Sequence, residues 1–454
     1  MENVKQILLA FNDAIHEVES LEDYYYRSNQ TLISYKLDIE KNYSFGKKIA
    51  DILDEFFVIE SADERNKKLA IINDTLIQKD VKFRDIFDIV PFEKDNQNSI
   101  SFSINTKIVD YEKYDPKKAK EKYEHIEKVT YIFIESILSH IIVSFETFLS
   151  NIYRILLMSE PQKYLEGQTI PLAALFNDNI NETINEKIDS EVSSKMFDSL
   201  SAIKIITDKE KISLSEYAVL LNTFKELYYR RNAYVHTKGR ANKDYLSKVD
   251  KSLTKKLHIN DDLICDDIYL QNSIRTLSQI VFLITFELLK KEKASENAVT
   301  ALSNYYFVKL RAGEYKLAKF VYYHLSKYSS LPFRDKLMYR INYIIAAKQL
   351  NELGLVKHEL DELDVSATES QFKIAKECLS ENFENAYKML NESYPKSFDA
   401  VAIKEWPIFI DFRNTDYYEK FVREHEADFA IQQIDDAQNE FDELLKMDEA
   451  TDNN

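Results

Sequence analysis

The sequence predicts an all-α protein, and three observations support this prediction. Only 5 Gly and 7 Pro occur among 454 residues, although hairpins, sheets and nucleotide-binding α/β folds need these residues at their turns. Over most of the chain, apolar residues recur every three or four positions, which is the period of an amphipathic helix. The Gly-rich phosphate-binding motifs of P-loop and Rossmann proteins are absent from the sequence.

The composition is that of a protein with large cores and an acidic surface. Apolar residues make up 45% of the chain, and at about 100–200 residues per domain we expect about three structural units. The formal charge of −17 disfavours a simple nucleic-acid coat protein or a membrane-surface protein. The C-terminal segment 426–454 alone carries −9 of this charge, and we interpret it as a solvated acidic helix or tail.

We expect a cytoplasmic protein without a membrane span. The two cysteines, Cys265 and Cys378, are too few for a disulfide framework and suit a reducing compartment. No charged-then-apolar leader opens the chain. The most apolar stretch, 129–148, contains two glutamates and a histidine, so we predict a buried helix there.

Residues 1–116 form the first predicted unit, a helical region with one extended segment. Its first helix carries a single apolar stripe, and two further helical patterns follow, the second from Ala62 to Ile89. Polar and apolar residues then alternate, so we expect a short strand or extended crossing near 97–110. Pro116 ends this segment and permits a new helix.

Residues 117–293 form the second predicted unit, a helical domain. Its first long helix is expected over 117–159, where the second half presents a broad apolar face. The stretch 161–186 contains glycine and prolines, and we expect a loop. Further helices are expected over 214 to about 235 and over 267–291, the latter buried on all sides.

A basic island lies within this second unit. Between residues 226 and 256, nine basic side chains face three acidic ones, which gives +6 inside an acidic chain, and four tyrosines are interleaved. Such a surface suits a ligand that offers phosphates and stacking bases, and the alternative is a solvated face that balances acidic neighbours. The basic residues are Arg230, Arg231, Lys238, Arg240, Lys243, Lys248, Lys251, Lys255 and Lys256.

Three residues of this island stand together in the order Arg231-Asn232-x-x-x-His236. This pattern resembles the R-x4-6-H signature of HEPN domains, in the form with a polar residue directly after the arginine. Three flanking segments are also similar to this family. Together with the motif, they extend the resemblance over roughly 117–293. They are Val143–Leu149 on the long helix, Gly239, Asn242 and Tyr245 after the histidine, and the apolar helix 267–289.

The resemblance implies an all-α HEPN-like bundle that cleaves RNA without metal. Such cleavage needs proton removal from the 2′-OH, proton delivery to the 5′-oxygen and a cation for the developing charge. Histidine can serve as acid or base near neutrality, and arginine can grip two phosphate oxygens. We therefore assign Arg231, Asn232 and His236 as catalytic, with Asn232 orienting the imidazole or holding a phosphate oxygen.

Helix geometry constrains this site. Asn232 and His236 share a helix face, whereas Arg231 lies about 140° around the helix from His236. Arg231 must therefore reach around the helix, or the helix must loosen before Gly239. One chain supplies one motif histidine, and the resemblance implies a homodimer through 117–293 that brings two Arg–His sets together.

Other residues receive supporting roles. We expect Arg230, Lys238 and Arg240 to contact the RNA backbone, with a solvated surface as the alternative, and Glu146 to support the motif as a buried polar partner. The remaining histidines form no HxxxH or HExxH pair, so we predict no metal and no cofactor.

Residues 294–425 form the third predicted unit, a helical repeat array. Two sets of residues share spacings of two and three and lie 68 positions apart, twice the 34-residue period of tetratricopeptide-type repeats. The middle copy departs from the pattern, because Glu352 stands where alanine is expected, and the alternative is a helical bundle with a coincidental period. The two sets are Gly313, Tyr315 and Ala318, and Glu381, Phe383 and Ala386.

These expectations lead to two functional hypotheses. The first is an RNA-cleaving enzyme in host defence or growth arrest, whose repeats hold a protein or peptide partner or sense a trigger. The defence role follows only from the resemblance. The second is a non-catalytic scaffold or adaptor, whose HEPN-like region dimerises or binds nucleotides. A toxin neutralised by tyrosine modification after the histidine fits poorly, because Thr237 and Lys238 occupy those positions.

Overall fold

Helices dominate the computed structural model, which describes residues 2–58, 87–94, 97–104, 116–164, 169 and 180–430, with side chains for 2–38, 120–164, 169 and 182–430. The all-α prediction is confirmed at this level. The helices that the structure describes before residue 292 are α1 Glu2–Val58, α2 Pro116–Ser159, α3 Pro161–Tyr164, α4 Ile180–Lys195, α5 Ser199–Glu210, α6 Ala218–Thr237, α7 Lys243–Lys248, α8 Lys251–Thr254 and α9 Asp267–Lys291.

The long helices predicted over 117–159 and 267–291 lie where the periodicity placed them, whereas the first two helical patterns of the N-terminal region, the second over 35–59, belong to one continuous helix, α1. Every residue of α9 from Ile280 to Leu289 is buried except Glu287, as expected for a helix that is apolar all round. The predicted loop over 161–186 is wrong at both ends. Pro161 opens the short helix α3, since proline suits the first position of a helix, and α4 begins at Ile180.

A β-hairpin interrupts the helical pattern in the N-terminal region. Strand β1 Phe87–Lys94 pairs antiparallel with β2 Gln97–Ile104. The expected extended segment near 97–110 is thus a strand as far as Ile104, and its remainder lies outside the described residues. The helix expected to reach Ile89 is wrong over its last three residues, because proline at position 91 disfavours a helix here and is tolerated in an edge strand.

The chain divides into two compact units. The first comprises residues 1–15, 144–225 and 271–454, and the second comprises residues 16–143 and 226–270. This division is made by spatial proximity, and the boundaries expected near residues 116, 293 and 425 stay predictions.

Aromatic pairs hold the second unit together. Phe133 of α2 stacks on Tyr25 of α1 with ring centres 5.9 Å apart, and Tyr131 of α2 stacks on Tyr234 of α6 at 5.4 Å. The Tyr131 hydroxyl also donates a hydrogen bond to the carbonyl oxygen of Tyr234 at 2.5 Å. These contacts fix the end of α6 against α2.

The first unit contains a series of helices, in which three pairs are each joined by the same turn. The residues at the turns, Gly313, Asn351 and Glu381, have φ of 85°, 59° and 60°. In each turn, one amide bonds the carbonyl three residues back and the next amide bonds the carbonyl five residues back. The helices are α10 Glu296–Arg311, α11 Tyr315–Ser326, α12 Phe333–Gln349, α13 Leu353–Asp361, α14 Ser370–Leu379, α15 Phe383–Ser393, α16 Ala400–Glu405 and α17 Asp416–Glu424.

The middle helix pair lies four residues later than a strict period of 34 places it. Five positions after each turn residue stands a buried small or branched side chain: Ala318, Val356 and Ala386. The turns at 313, 351 and 381 are 38 and 30 residues apart, and not 34. A strict period of 34 residues from Ala318 therefore places the middle alanine at Glu352, which is one residue past the actual turn. About one helical turn of extra length before position 351 accounts for this shift.

One described helix is long and apolar enough to cross a membrane by length and composition. It covers Lys120–Ser159 of α2, and half of its most apolar window is buried inside the protein. A core helix meets the same criteria, so this finding is weak evidence for a span.

Candidate active site

The motif residues lie in the last two turns of a regular helix. Helix α6 runs without a break from Ala218 to Thr237, so Arg231, Asn232 and His236 all have helical backbone. The alternative in which the helix loosens before Gly239 is therefore excluded. Asn232 and His236 stand one turn apart, on the i and i+4 positions of one row.

Tyr228 resolves how Arg231 approaches this row. The guanidinium carbon of Arg231 lies 5.4 Å from the centre of the Tyr228 ring, three residues earlier on α6. Around the helix axis, Tyr228 lies between Arg231, about 60° to one side, and His236, about 80° to the other. The Arg231 guanidinium therefore lies against the residue that stands between it and His236 around the helix.

A tight turn ends the helix directly after the histidine. Lys238 and Gly239 have φ of 54° and 71°, and the Gly239 amide bonds the carbonyl oxygen of Ala233 at 3.1 Å. A Cβ atom on Gly239 would stand 3.1 Å from the Tyr234 ring, so glycine is required here. His236 is thereby left exposed on the last turn, while Arg231 and Asn232 are partly exposed.

The residues after this turn include Asn242 and Tyr245 of the flanking pattern, and their hydrogen bonds connect the following segments to α6. Asn242 caps α7 by accepting a hydrogen bond from the amide of Tyr245 at 2.8 Å. The hydroxyl of Tyr245 donates to Oε1 of Glu226 at 2.5 Å, and this ties α7 back to α6. The amide of Leu263 bonds the carbonyl oxygen of Gly239 at 2.7 Å, which brings a later loop against the turn.

Glu226 is a buried carboxylate that the sequence did not single out as a site residue. Nε of Arg230 donates to its Oε1 at 2.7 Å, and Tyr269 donates to its Oε2 at 2.7 Å. The side chains of Glu226 and Arg230 are only 7% and 13% exposed. Burial, reinforced by the Glu226 carboxylate, raises the pKa of Tyr245 and of Tyr269, so both phenols remain hydrogen-bond donors.

Arg230 therefore belongs to the interior of this unit. Besides Glu226, its guanidinium contacts the carbonyl oxygen of Ile264 at 2.5 Å and lies 4.1 Å from the centre of the Tyr269 ring. This burial and the ion pair favour a structural role over the RNA contact expected from the sequence. The i, i+4 spacing of Glu226 and Arg230, an acid four residues before a base, was the available signal.

The exposed cations of the basic island follow the motif helix. Lys238 and Arg240 are exposed at the turn, and Arg240 reaches Asp262 at 3.4 Å in a solvent-accessible pair. Lys248 lies 5.2 Å from the centre of the Tyr229 ring and 3.0 Å from Asp244. The other exposed members are Lys243, Lys251, Lys255 and Lys256. The positive surface thus extends from the end of α6 across α7 and α8.

The remaining predicted residue, Glu146, lies in the first unit, where it accepts a hydrogen bond from the hydroxyl of Ser199 at 2.9 Å. Among the described residues, no group of three or more His, Cys, Asp or Glu side chains is arranged to hold a metal ion. No protein-family model, curated protein or solved structure compared with this chain matches it.

Proposed function

We propose that this protein is a metal-independent endoribonuclease whose site consists of Arg231, Asn232 and His236. The observation that supports the proposal is that Arg231, Asn232 and the exposed His236 lie together on the last two turns of α6, with the Arg231 guanidinium against the Tyr228 ring. A fixed cation, an amide and an exposed imidazole beside a positive surface are the groups that RNA cleavage without metal requires.

The chemistry assigns one task to each group. A histidine takes the proton of the 2′-OH, the 2′-oxygen bonds to phosphorus, and the bond from phosphorus to the 5′-oxygen breaks. A second acid protonates the departing 5′-oxygen, so the products carry a 2′,3′-cyclic phosphate and a 5′-OH. Arg231 stabilises the charge on the phosphoryl oxygens, and Asn232 holds the imidazole or one of those oxygens.

A homodimer supplies the second histidine of this scheme. Exposed Ile132 and Val143 on α2, 62% and 54% accessible, support an interface in this region, because large apolar side chains in solvent favour association. Light scattering should give twice the chain mass for the wild type. The Ile132→Asp, Val143→Lys double variant should be monomeric and inactive, and a dimeric, active double variant would rule out this interface.

The finer architecture is part of the same proposal. Residues 117–293 would form a HEPN-like bundle, and 294–425 a tetratricopeptide-like array, for which the repeated turns at Gly313, Asn351 and Glu381 are the support. We propose that the array holds a protein or peptide partner that controls the nuclease in the cytoplasm, in host defence or growth arrest.

The test is RNA cleavage in EDTA. Wild-type protein, His236→Ala and the control Val235→Ala, an exposed neighbour on the same turn, are incubated with total tRNA and with mRNA. We expect cleavage by the wild type and the control, and none by His236→Ala. Equal cleavage by all three proteins would exclude His236 as a catalytic residue.

A scaffold or adaptor is the second candidate function. The observation that favours it is the series of helix pairs with equivalent turns, a form of repetition that builds extended binding surfaces. A scaffold would retain its oligomeric state and its partner after His236→Ala and would cleave no RNA in either form. Toxicity of the wild type in cells that is lost in His236→Ala would favour the nuclease.

A further inference from the structure

We propose that Tyr228 is a base-stacking residue of this site and that the RNA must be unpaired where it binds. This inference rests on the proposed function, since it concerns the same surface of α6. It adds a residue that sequence reasoning placed only among the tyrosines of the basic island, and it defines the form of the substrate.

The position of Tyr228 on α6 is the first support. Tyr228, Asn232 and His236 occupy positions i, i+4 and i+8, so they follow one row along the helix. At 1.5 Å per residue, the row extends about 12 Å along the axis from Tyr228 to His236. An extended strand whose phosphate lies at His236 would therefore place a neighbouring base near Tyr228.

The surroundings of Tyr228 are the second support. The buried face of α6 is formed by Phe224, Leu227 and Tyr234, whose exposures are 0%, 1% and 6%, whereas Tyr228 is partly exposed. An aromatic ring at this position is therefore not part of the helix's fully buried face. Its neighbours include the Arg231 guanidinium at 5.4 Å and the Tyr229 ring, edge-on at 5.4 Å.

The Tyr228 ring and its neighbours, Arg231 and Tyr229, suit the binding of a nucleotide. A phenol ring accepts the face of any base, and stacking on aromatic side chains is a sequence-tolerant way to hold a single strand. Arg231 lies over one face of that ring, so a base would stack on the other face, and the guanidinium can bind the phosphate next to the stacked base. In a duplex the base faces are covered by their neighbours, and a single strand or loop is required instead.

The test measures binding without cleavage. In the His236→Ala background, Tyr228→Trp places a fluorescent ring at the proposed stacking position, in a chain whose natural tryptophan is Trp406 alone. We expect a short single-stranded RNA to quench the added fluorescence and the same strand annealed to its complement to leave it unchanged. The control is Tyr417→Trp, which replaces an exposed tyrosine of the first unit and should show no quenching.

Affinity provides the second measurement. In the same background, Tyr228→Ala should weaken single-strand binding by about 5- to 150-fold, which corresponds to the 1–3 kcal/mol of one stacked base. Tyr228→Phe should bind as the parent does, because the ring is retained. Thermal melting of each variant checks that the fold is intact.

The outcomes separate this inference from the proposed function. Unchanged affinity of folded Tyr228→Ala, or equal binding of duplex and single strand, would overturn base stacking while leaving catalysis by His236 to the cleavage assay. If single-stranded RNA quenches the fluorescence but the wild-type protein never cleaves RNA, base stacking would be supported and the proposed nuclease activity would be overturned. Absence of any RNA binding by the His236→Ala parent would overturn both.

Discussion

The Arg231 guanidinium lies over the ring of Tyr228, one turn back on the same helix, with 5.4 Å between its central carbon and the ring centre. A helical wheel alone separates Arg231 from His236 by about 140°. Arg231 contacts the intervening Tyr228 while α6 stays regular as far as Thr237, and we propose that the two motif residues act on one phosphate without distortion of the helix.

Arg231→Lys should lower kcat/KM for RNA cleavage about 10- to 100-fold. Lysine keeps the positive charge but loses the planar fork that grips two oxygens and stacks on Tyr228. Steady-state kinetics with a fluorogenic RNA would measure the effect, with Arg240→Lys, at the exposed pair with Asp262, as control. Unchanged activity in Arg231→Lys would mean that only the charge at this position matters.

Glu226→Ala should destabilise the protein by about 3–5 kcal/mol, because it leaves the buried Arg230 guanidinium without its carboxylate. Urea unfolding measures this loss. Asp244→Ala is the matched control, since it removes the partner of Lys248 in a solvent-exposed ion pair and should cost far less stability. Similar losses in the two variants would show that the Glu226 pair is not a buried ion pair in solution.

Gly239→Ala should cost about 1–3 kcal/mol, since the backbone at Gly239 has φ of 71° and the added methyl group would press on Tyr234. Gly354→Ala is the control, because a Cβ atom there meets nothing within 4 Å and alanine favours the helix. Gly354→Ala should raise the melting temperature slightly. A neutral Gly239→Ala would contradict the turn described after His236.

His324 should make stability depend on pH between about 6.5 and 4. Its Nδ1 lies 3.3 Å from the Tyr217 hydroxyl, and its ring centre lies 4.7 Å from that of Phe320. Burial, with a smaller effect of the Lys290 ammonium, lowers the pKa of His324 to about 4. The unfolded chain binds this proton near pH 6.5, so the stabilisation is complete above that value and is lost as the pH falls toward 4.

The size of this effect is on the order of 1–3 kcal/mol, after allowance for partial solvent screening. Urea midpoints across this range measure it. The His324→Phe variant keeps an aromatic ring without the titrating group, so its midpoint should fall less on acidification than that of the wild type. Identical pH profiles would show that His324 titrates normally in the folded protein.

Sequence reasoning succeeded where local periodicity decides the structure. The apolar pattern located α2 within one residue and α9 at its observed bounds. It failed where contacts between residues far apart in the sequence determine the structure. Glu226 gave only an i, i+4 spacing to Arg230, and its phenol donors stand 19 and 43 residues away in the sequence. The middle helix pair did not match the expected period, because its turn lies at Asn351, four residues later than a strict period of 34 places it.

The most direct test is the chemistry of the RNA ends made by purified protein in excess EDTA. Mass spectrometry of the fragments should show 2′,3′-cyclic phosphate and 5′-OH ends with the wild type and with Val235→Ala. It should show neither with His236→Ala. Ends that carry a 5′-phosphate, cleavage that EDTA abolishes, or wild-type ends produced by His236→Ala would contradict a metal-independent nuclease built on Arg231, Asn232 and His236.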